Sequence, residues 1–194
     1  VKESSGEPRL QRFFIAIVPP PDIQAIAHAI QRQFAEEYAS QAAQKSPPHI
    51  TLPPPFAWML HDLPSLERSL AKFALQQASF QVELDGFAAF PPTVIYINVV
   101  KTAALLNLQT SLMANLENTL EIGDVAPKRR TFTPHITVAF RDLTQPNFTA
   151  AWHLFQGRSL QLQFLADSLS LLLHDGHQWH IHKTLPFSEE VYPP

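Results

Sequence analysis

The sequence predicts an α+β fold built on mixed or antiparallel sheets. Short apolar or alternating runs of strand length are interleaved with longer stretches whose apolar residues recur at helical spacing. Several strands also follow one another through turn-sized connections, which parallel neighbours do not permit. The five glycines form neither a GxGxxG nor a GxxxxGK pattern, so nucleotide-cofactor and NTPase folds lose their phosphate loop.

Residues 13–18 are apolar and closed by Pro19-Pro20-Pro21, which suits a buried strand. After Pro21-Asp22, the positions Ile23, Ile26, Ala27, Ile30 and Phe34 form the stripe of an amphipathic helix that fades by Ser40. A second strand is expected at residues 49–52, followed by a proline-rich connection and a helix carrying Leu66, Leu70 and Phe73. Residues 80–84 alternate as a half-buried strand does, and residues 93–100 are β-branched and aromatic enough to pair with them. A long helix with Leu105, Leu108, Leu112 and Leu116 on one face comes next. Then follow a strand at 132–140, a weaker helix near 150–155, and strands around 160–164, 169–174 and 178–184. Asp175-Gly176 joins the last two as a hairpin.

At 194 residues, with 45% hydrophobic and 16% charged, the chain has enough apolar material for a real core, and a single compact domain over residues 1–194 is expected. A formal net charge of −3 argues against gripping long nucleic acid through many phosphates, so any such partner should be short or held at its end. With no cysteine there is no disulfide, thiolate metal site or Cys nucleophile, and a cytoplasmic protein is expected. The apolar run at 13–18 is too short to span a bilayer, so no membrane partner is expected. No heptad or exposed apolar repeat supports an oligomerising scaffold, and a monomer is expected.

Pro48-His49-Ile50-Thr51 recurs as Pro134-His135-Ile136-Thr137, each copy at the start of a predicted strand that follows a helix. Side chains alternate along a strand, so His49 and Thr51 share one face while Ile50 and Leu52 take the other; His135 and Thr137 are likewise opposed by Ile136 and Val138. Two such strands can gather two imidazoles and two hydroxyls around one cavity. Imidazole titrates near neutral pH, so one histidine can deprotonate a nucleophile while the other protonates the departing oxygen. Threonine hydroxyls can donate to the nonbridging oxygens of a phosphate as charge builds there. Neither a metal nor another cofactor is needed for that chemistry.

These motifs give the chain a resemblance to the 2H phosphoesterase superfamily, in particular to bacterial 2′-5′ RNA ligase-like proteins, also called RNA 2′,3′-cyclic phosphodiesterases. Beside both His-x-Thr motifs, the likeness includes the opening strand Arg12-x-Phe14-Ile15-Ala16-Ile17 and a final Trp179 hairpin running into Leu185-Pro186-Phe187. It implies a bilobal α+β fold: two pseudo-twofold-related mixed or antiparallel sheets with outer helices and a central groove, each lobe contributing one motif. It also implies metal-independent opening of a cyclic nucleotide or RNA-end phosphate, with 2′-5′ ligation as the reverse reaction. Carried over, His49 and His135 become the catalytic pair, with Thr51 and Thr137 as phosphate ligands. Five residues beyond the second histidine, where many ligase-like relatives place an arginine, this chain has Phe140, and Arg141 follows. In an unbroken strand Arg141 would share the face of His135 and Thr137, where its planar fork suits a flanking phosphate; the alternative is that Arg141-Asp142 caps the strand as a turn and Arg141 pairs locally.

Other residues have plainer readings. His174, His177, His180 and His182 crowd the last hairpin, but the nearby carboxylate is Asp175 at the turn, and exposed polar residues are usual there. Lys128-Arg129-Arg130 precedes the second motif and could meet RNA phosphates, while Phe14 and Phe56 read as core. The alternative to an enzyme is a module that holds nucleotides or RNA ends without turnover. Retention of both histidines disfavours it, because binding alone requires no acid and base.

Overall fold

A computed structural model describes residues 9–122 and 131–188. The apolar run forms β1 (Leu10–Ile17), whose last five residues are all buried. The prolines after it cannot extend a ladder, and Pro21 instead opens α1 (Pro21–Tyr38). This helix buries Ile23, Ala27, Ile30, Phe34 and Tyr38, and also one polar residue, Gln31. Ala39 ends it in left-handed backbone at φ 53°, with the Ser40 N–H bonded back to the Phe34 carbonyl at 3.1 Å.

The chain continues through β2 (Ile50–Thr51), β3 (Phe56–Met59), α2 (Leu63–Ala74), β4 (Phe80–Phe90), β5 (Val94–Val99) and α3 (Ala103–Leu120). It ends with β6 (His135–Ala139), α4 (Gln145–Phe155), β7 (Gln161–Ala166), β8 (Ser168–His174) and β9 (Trp179–Pro186). Four elements differ from expectation. The proline-rich connection turns directly into β3, which pairs with the first half of β1. β4 runs on to Phe90 through a register shift beside Gly86, whose φ of +65° suits glycine. α4 starts at Gln145 rather than near Ala150, because Thr144 accepts the Asn147 N–H at 3.4 Å as an N-cap. β6 is shorter than residues 132–140, being preceded by Pro134, which has no N–H, and followed closely by left-handed Arg141 at φ 63°.

Among the described residues nine strands form one sheet in the order β7-β4-β5-β6-β2-β1-β8-β9, with β3 beside β1. All strand pairings are antiparallel. The order is mirrored about its centre: β6-β5-β4-β7 runs outward on one side and β2-β1-β8-β9 on the other, each with a His-x-Thr strand innermost. The two sheets expected from the pseudo-symmetry are therefore joined edge to edge, through the single pair Ile50 and Ile136.

Helices lock the halves together. α1 follows β1 but packs against β6 of the other half and against α4, while α2 packs on α3 and β9. The Gln31 side-chain amide donates to the Thr137 carbonyl at 3.2 Å, so α1 reaches the backbone of the second motif. Among the described residues no helix is long and apolar enough to cross a membrane.

Candidate active site

Ile50 and Ile136 are both fully buried, which turns the residues on either side of each toward the opposite face. His49, Thr51, His135 and Thr137 are all half-buried there, while Leu52 and Val138 join the isoleucines inside. Because the pair is antiparallel, its register sets Thr51 beside His135 and His49 beside Thr137. Directly opposed residues have Cβ atoms about 5 Å apart and diagonal ones roughly 7–8 Å. The two histidines occupy one diagonal and the two threonines the other, an arrangement that brackets a tetrahedral group from four sides.

Each imidazole is fixed the same way. His49 Nδ1 donates to the Pro47 carbonyl at 2.7 Å, and His135 Nδ1 donates to the Thr133 carbonyl at 2.6 Å. A carbonyl only accepts, so the proton sits on Nδ1 and the neutral ring keeps its lone pair on Nε2. The proline in each tetrapeptide stands between that carbonyl and the histidine. Among the described residues neither Nε2 atom and neither threonine hydroxyl has a protein partner.

Ring contacts complete the setting. His49 lies on Phe14 with centroids 4.6 Å apart, while His135 meets Tyr96 at 4.8 Å and Phe90 at 5.3 Å. Burial lowers the pKa of His49 to about 4, against the opposing bond to Pro47, and the charge of His135 adds to the lowering. Burial also lowers His135, with its bond to Thr133 acting the other way. Both are neutral near pH 7.

His49, Thr51 and Thr137 line a groove of about 660 Å³ together with Arg12, Trp179 and Arg141; His135 lies outside that lining. Arg141 does not extend the strand, as alternation from His135 would require. β6 ends at Ala139, and Arg141 turns in left-handed backbone with its guanidinium over the Phe140 ring at 5.1 Å. The turn is held by Asp142: Oδ1 accepts from the Ser40 hydroxyl at 2.8 Å, and Oδ2 accepts the N–H groups of Gln41 and Ala42 at 2.8 and 2.9 Å. Arg141 thus reaches the groove through a turn rather than along a strand face.

The remaining candidates separate. His180 pairs with Asp175 at 2.6 Å and His182 with Glu67 at 2.8 Å, and no three metal-ligating side chains gather among the described residues. Phe14 and Phe56 are core, at 3% and 8% exposure. Lys128, Arg129 and Arg130 lie outside the described residues. Sequence reasoning missed Gln31, Arg12 and Trp179. Gln31 left a trace, a polar side chain four residues beyond Ala27 on the buried stripe; Arg12 and Trp179 meet only through the pairing of distant strands.

Comparison with known proteins bears on the family and the fold. A "Putative phosphoesterase" of Oceanobacillus iheyensis is 27% identical, the match covering 89% of this chain and 96% of the relative. One of Geobacillus kaustophilus is 24% identical over 89% and 94%. Among solved structures, E. coli LigT complexed with 3′-AMP has a TM-score of 0.67 at 18% identity, covering 93% of this chain and all of that one. TT0787 of Thermus thermophilus has a TM-score of 0.65 at 20% identity, covering 92% and 100%; at these identities the likeness is one of fold. The family model for the 2′-5′ RNA ligase superfamily matches residues 19–178, a span that holds both His-x-Thr strands, and the chain belongs to that superfamily of 2H phosphoesterases.

Proposed function

We propose that the chain opens 2′,3′-cyclic or related nucleotide and RNA-end phosphates by acid–base catalysis between His49 and His135, without a metal ion. The observation that carries this reading is the diagonal set across Ile50 and Ile136: two imidazoles whose Nε2 atoms have no partner among the described residues, alternating with two hydroxyls that have none there either. Crystallisation of the E. coli relative with 3′-AMP supports a nucleotide ligand, since opening a 2′,3′-cyclic adenylate at its 2′ oxygen leaves 3′-AMP.

In this mechanism a cyclic phosphate sits between the four side chains. One neutral imidazole takes a proton from water through Nε2 as the water oxygen bonds to phosphorus. The other imidazole, protonated at Nε2, gives that proton to the 2′ or 3′ oxygen as its bond to phosphorus breaks. Thr51 and Thr137 donate to the nonbridging oxygens, and the fixed Nδ1 bonds hold each ring in the required tautomer. The bound anion favours the imidazolium that the empty site disfavours. Attack by the 5′ hydroxyl of a second strand in place of water, with the 3′ oxygen leaving and taking the acid's proton so that phosphorus stays on the 2′ oxygen, gives the 2′-5′ linkage. Arg141, at the groove wall without a carboxylate partner among the described residues, holds a flanking phosphate of an oligonucleotide.

Three outcomes follow for purified protein. His49→Ala and His135→Ala should each lower turnover of a cyclic nucleotide by roughly 10²- to 10⁴-fold, and Thr51→Val or Thr137→Val by about 10²-fold, with circular dichroism unchanged; a near-normal rate in a variant removes that residue from the mechanism. Since kcat/KM reports the free enzyme and both imidazoles titrate below their ordinary 6.5, its bell should peak on the acid side of that value. Below the bell the base is protonated, and above it the acid is lost; an alkaline optimum contradicts the assignment. Arg141→Ala should raise KM about tenfold for an oligonucleotide ending in a cyclic phosphate and barely affect a cyclic mononucleotide, whereas equal loss on both excludes the flanking role.

A further inference from the structure

A second cationic position stands on the β8–β9 side of the groove, where β1 and the closing hairpin meet. Phe14 packs on His49, Trp179 meets the Phe14 ring edge-on at 4.5 Å, and the Arg12 guanidinium lies over Trp179 at 5.6 Å. The stack runs from the catalytic imidazole to an exposed cation through rings held by the core; Phe14 is only 3% exposed. Among the described residues no carboxylate contacts Arg12. Its face is taken up by the indole, which leaves the N–H edge for a ligand.

On this side His174 offers a ring donor and the nearby carboxylate is already bonded. His174 packs on Trp179 at 4.8 Å, and its Nδ1 accepts the Gly176 N–H at 3.1 Å, so the ring proton is at Nε2. Asp175, the adjacent acid, is consumed by its own turn: Oδ1 accepts the N–H groups of His177 and Gln178, each at 2.8 Å, and Oδ2 binds His180. Arg12, His174 and Trp179 all line the groove. Asp142, the only acid in that lining among the described residues, is bonded through both oxygens to the loop after α1.

We propose that Arg12, seated on Trp179 and assisted by His174, is a second phosphate subsite, on the side of the reacting phosphate opposite Arg141. The ligand class is a nucleotide strand that continues on both sides of the central linkage, as a 2′-5′-joined strand does and a cyclic end does not. The proposal rests on the catalytic reading above, with the reacting phosphate between the two His-x-Thr motifs. A phosphate there exchanges hydration for the planar edge of a pre-oriented guanidinium and one imidazole N–H. The stack restricts Arg12 beforehand, which lowers the ordering cost of binding.

Calorimetry with four forms of one probe tests this. The probe is a 2′-5′-linked adenosine dinucleotide whose first nucleoside lacks its 3′ hydroxyl, so that it cannot cyclise and be cleaved; it carries terminal phosphates at both ends, at the 5′ end, at the 3′ end, or at neither. Arg12→Ala should weaken binding of the doubly phosphorylated form about tenfold and leave the form without terminal phosphates within about twofold. The singly phosphorylated form that still responds identifies the flank served. Trp179→Ala should reproduce the loss and Trp179→Phe should retain most of the affinity. Weakening of all four forms alike by Arg12→Ala, or of none, overturns the subsite alone; wild-type protein that binds no form overturns the catalytic reading with it.

Discussion

Ile50 and Ile136 meet across the seam between β2 and β6, and this buried pair decides where the functional side chains stand. Strand side chains alternate, so a slip of one residue in either strand would drive a histidine and a threonine into the core and expose an isoleucine. Exposing a buried isoleucine costs about 1.5–3 kcal/mol, and burying an unpaired hydroxyl adds about 1–3 kcal/mol. The register that packs the interior is therefore the register that builds the site. Packing of α1 across the seam onto β6 and the Gln31 bond to the Thr137 carbonyl hold the second motif against the first.

Burial also sets the chemistry. The imidazoles sit where water is sparse, which keeps them neutral and lowers His49 to about 4. Each ring's Nδ1 bond to a carbonyl leaves the lone pair on Nε2. In the proposed mechanism the charge of a bound phosphate raises the pKa of one imidazole, which then takes its proton from solvent. The groove supplies the wider attraction. The chain as a whole is acidic at −3, yet Arg12, Lys45 and Arg141 line the groove, where Asp142 is already bonded. The overall charge disfavours long nucleic acid, and in the proposed function the cations of the groove attract a short, phosphate-bearing one.

Elements with strong local signals were legible in the sequence. The α1 stripe, the leucines of α3, the Asp175-Gly176 turn and both His-x-Thr strands needed only periodicity and turn chemistry. The capped start of α4 was also written locally, in Thr144-Gln145-Pro146, but was outweighed by the apolar residues that follow. β3 was hidden because its partner, the first half of β1, is remote in sequence. The same holds at the site. Alternation places His135 and Thr137 on one face, and Arg141-Asp142 reads locally as a turn that could cap the strand, but no local rule announces that Asp142 is held there by the distant loop after α1. Arg12 on Trp179 is invisible for a similar reason, since only the β1–β8–β9 pairing brings them together.

In the proposed mechanism four side chains of this protein, with no metal ion, suffice to open a cyclic phosphate. Its most direct test is the turnover of adenosine 2′,3′-cyclic phosphate by purified protein in excess chelator, followed by phosphorus NMR so that the product phosphate is seen. Undiminished conversion to an adenosine monophosphate in chelator is the predicted result. Activity that disappears in chelator and returns on adding zinc or magnesium would contradict it.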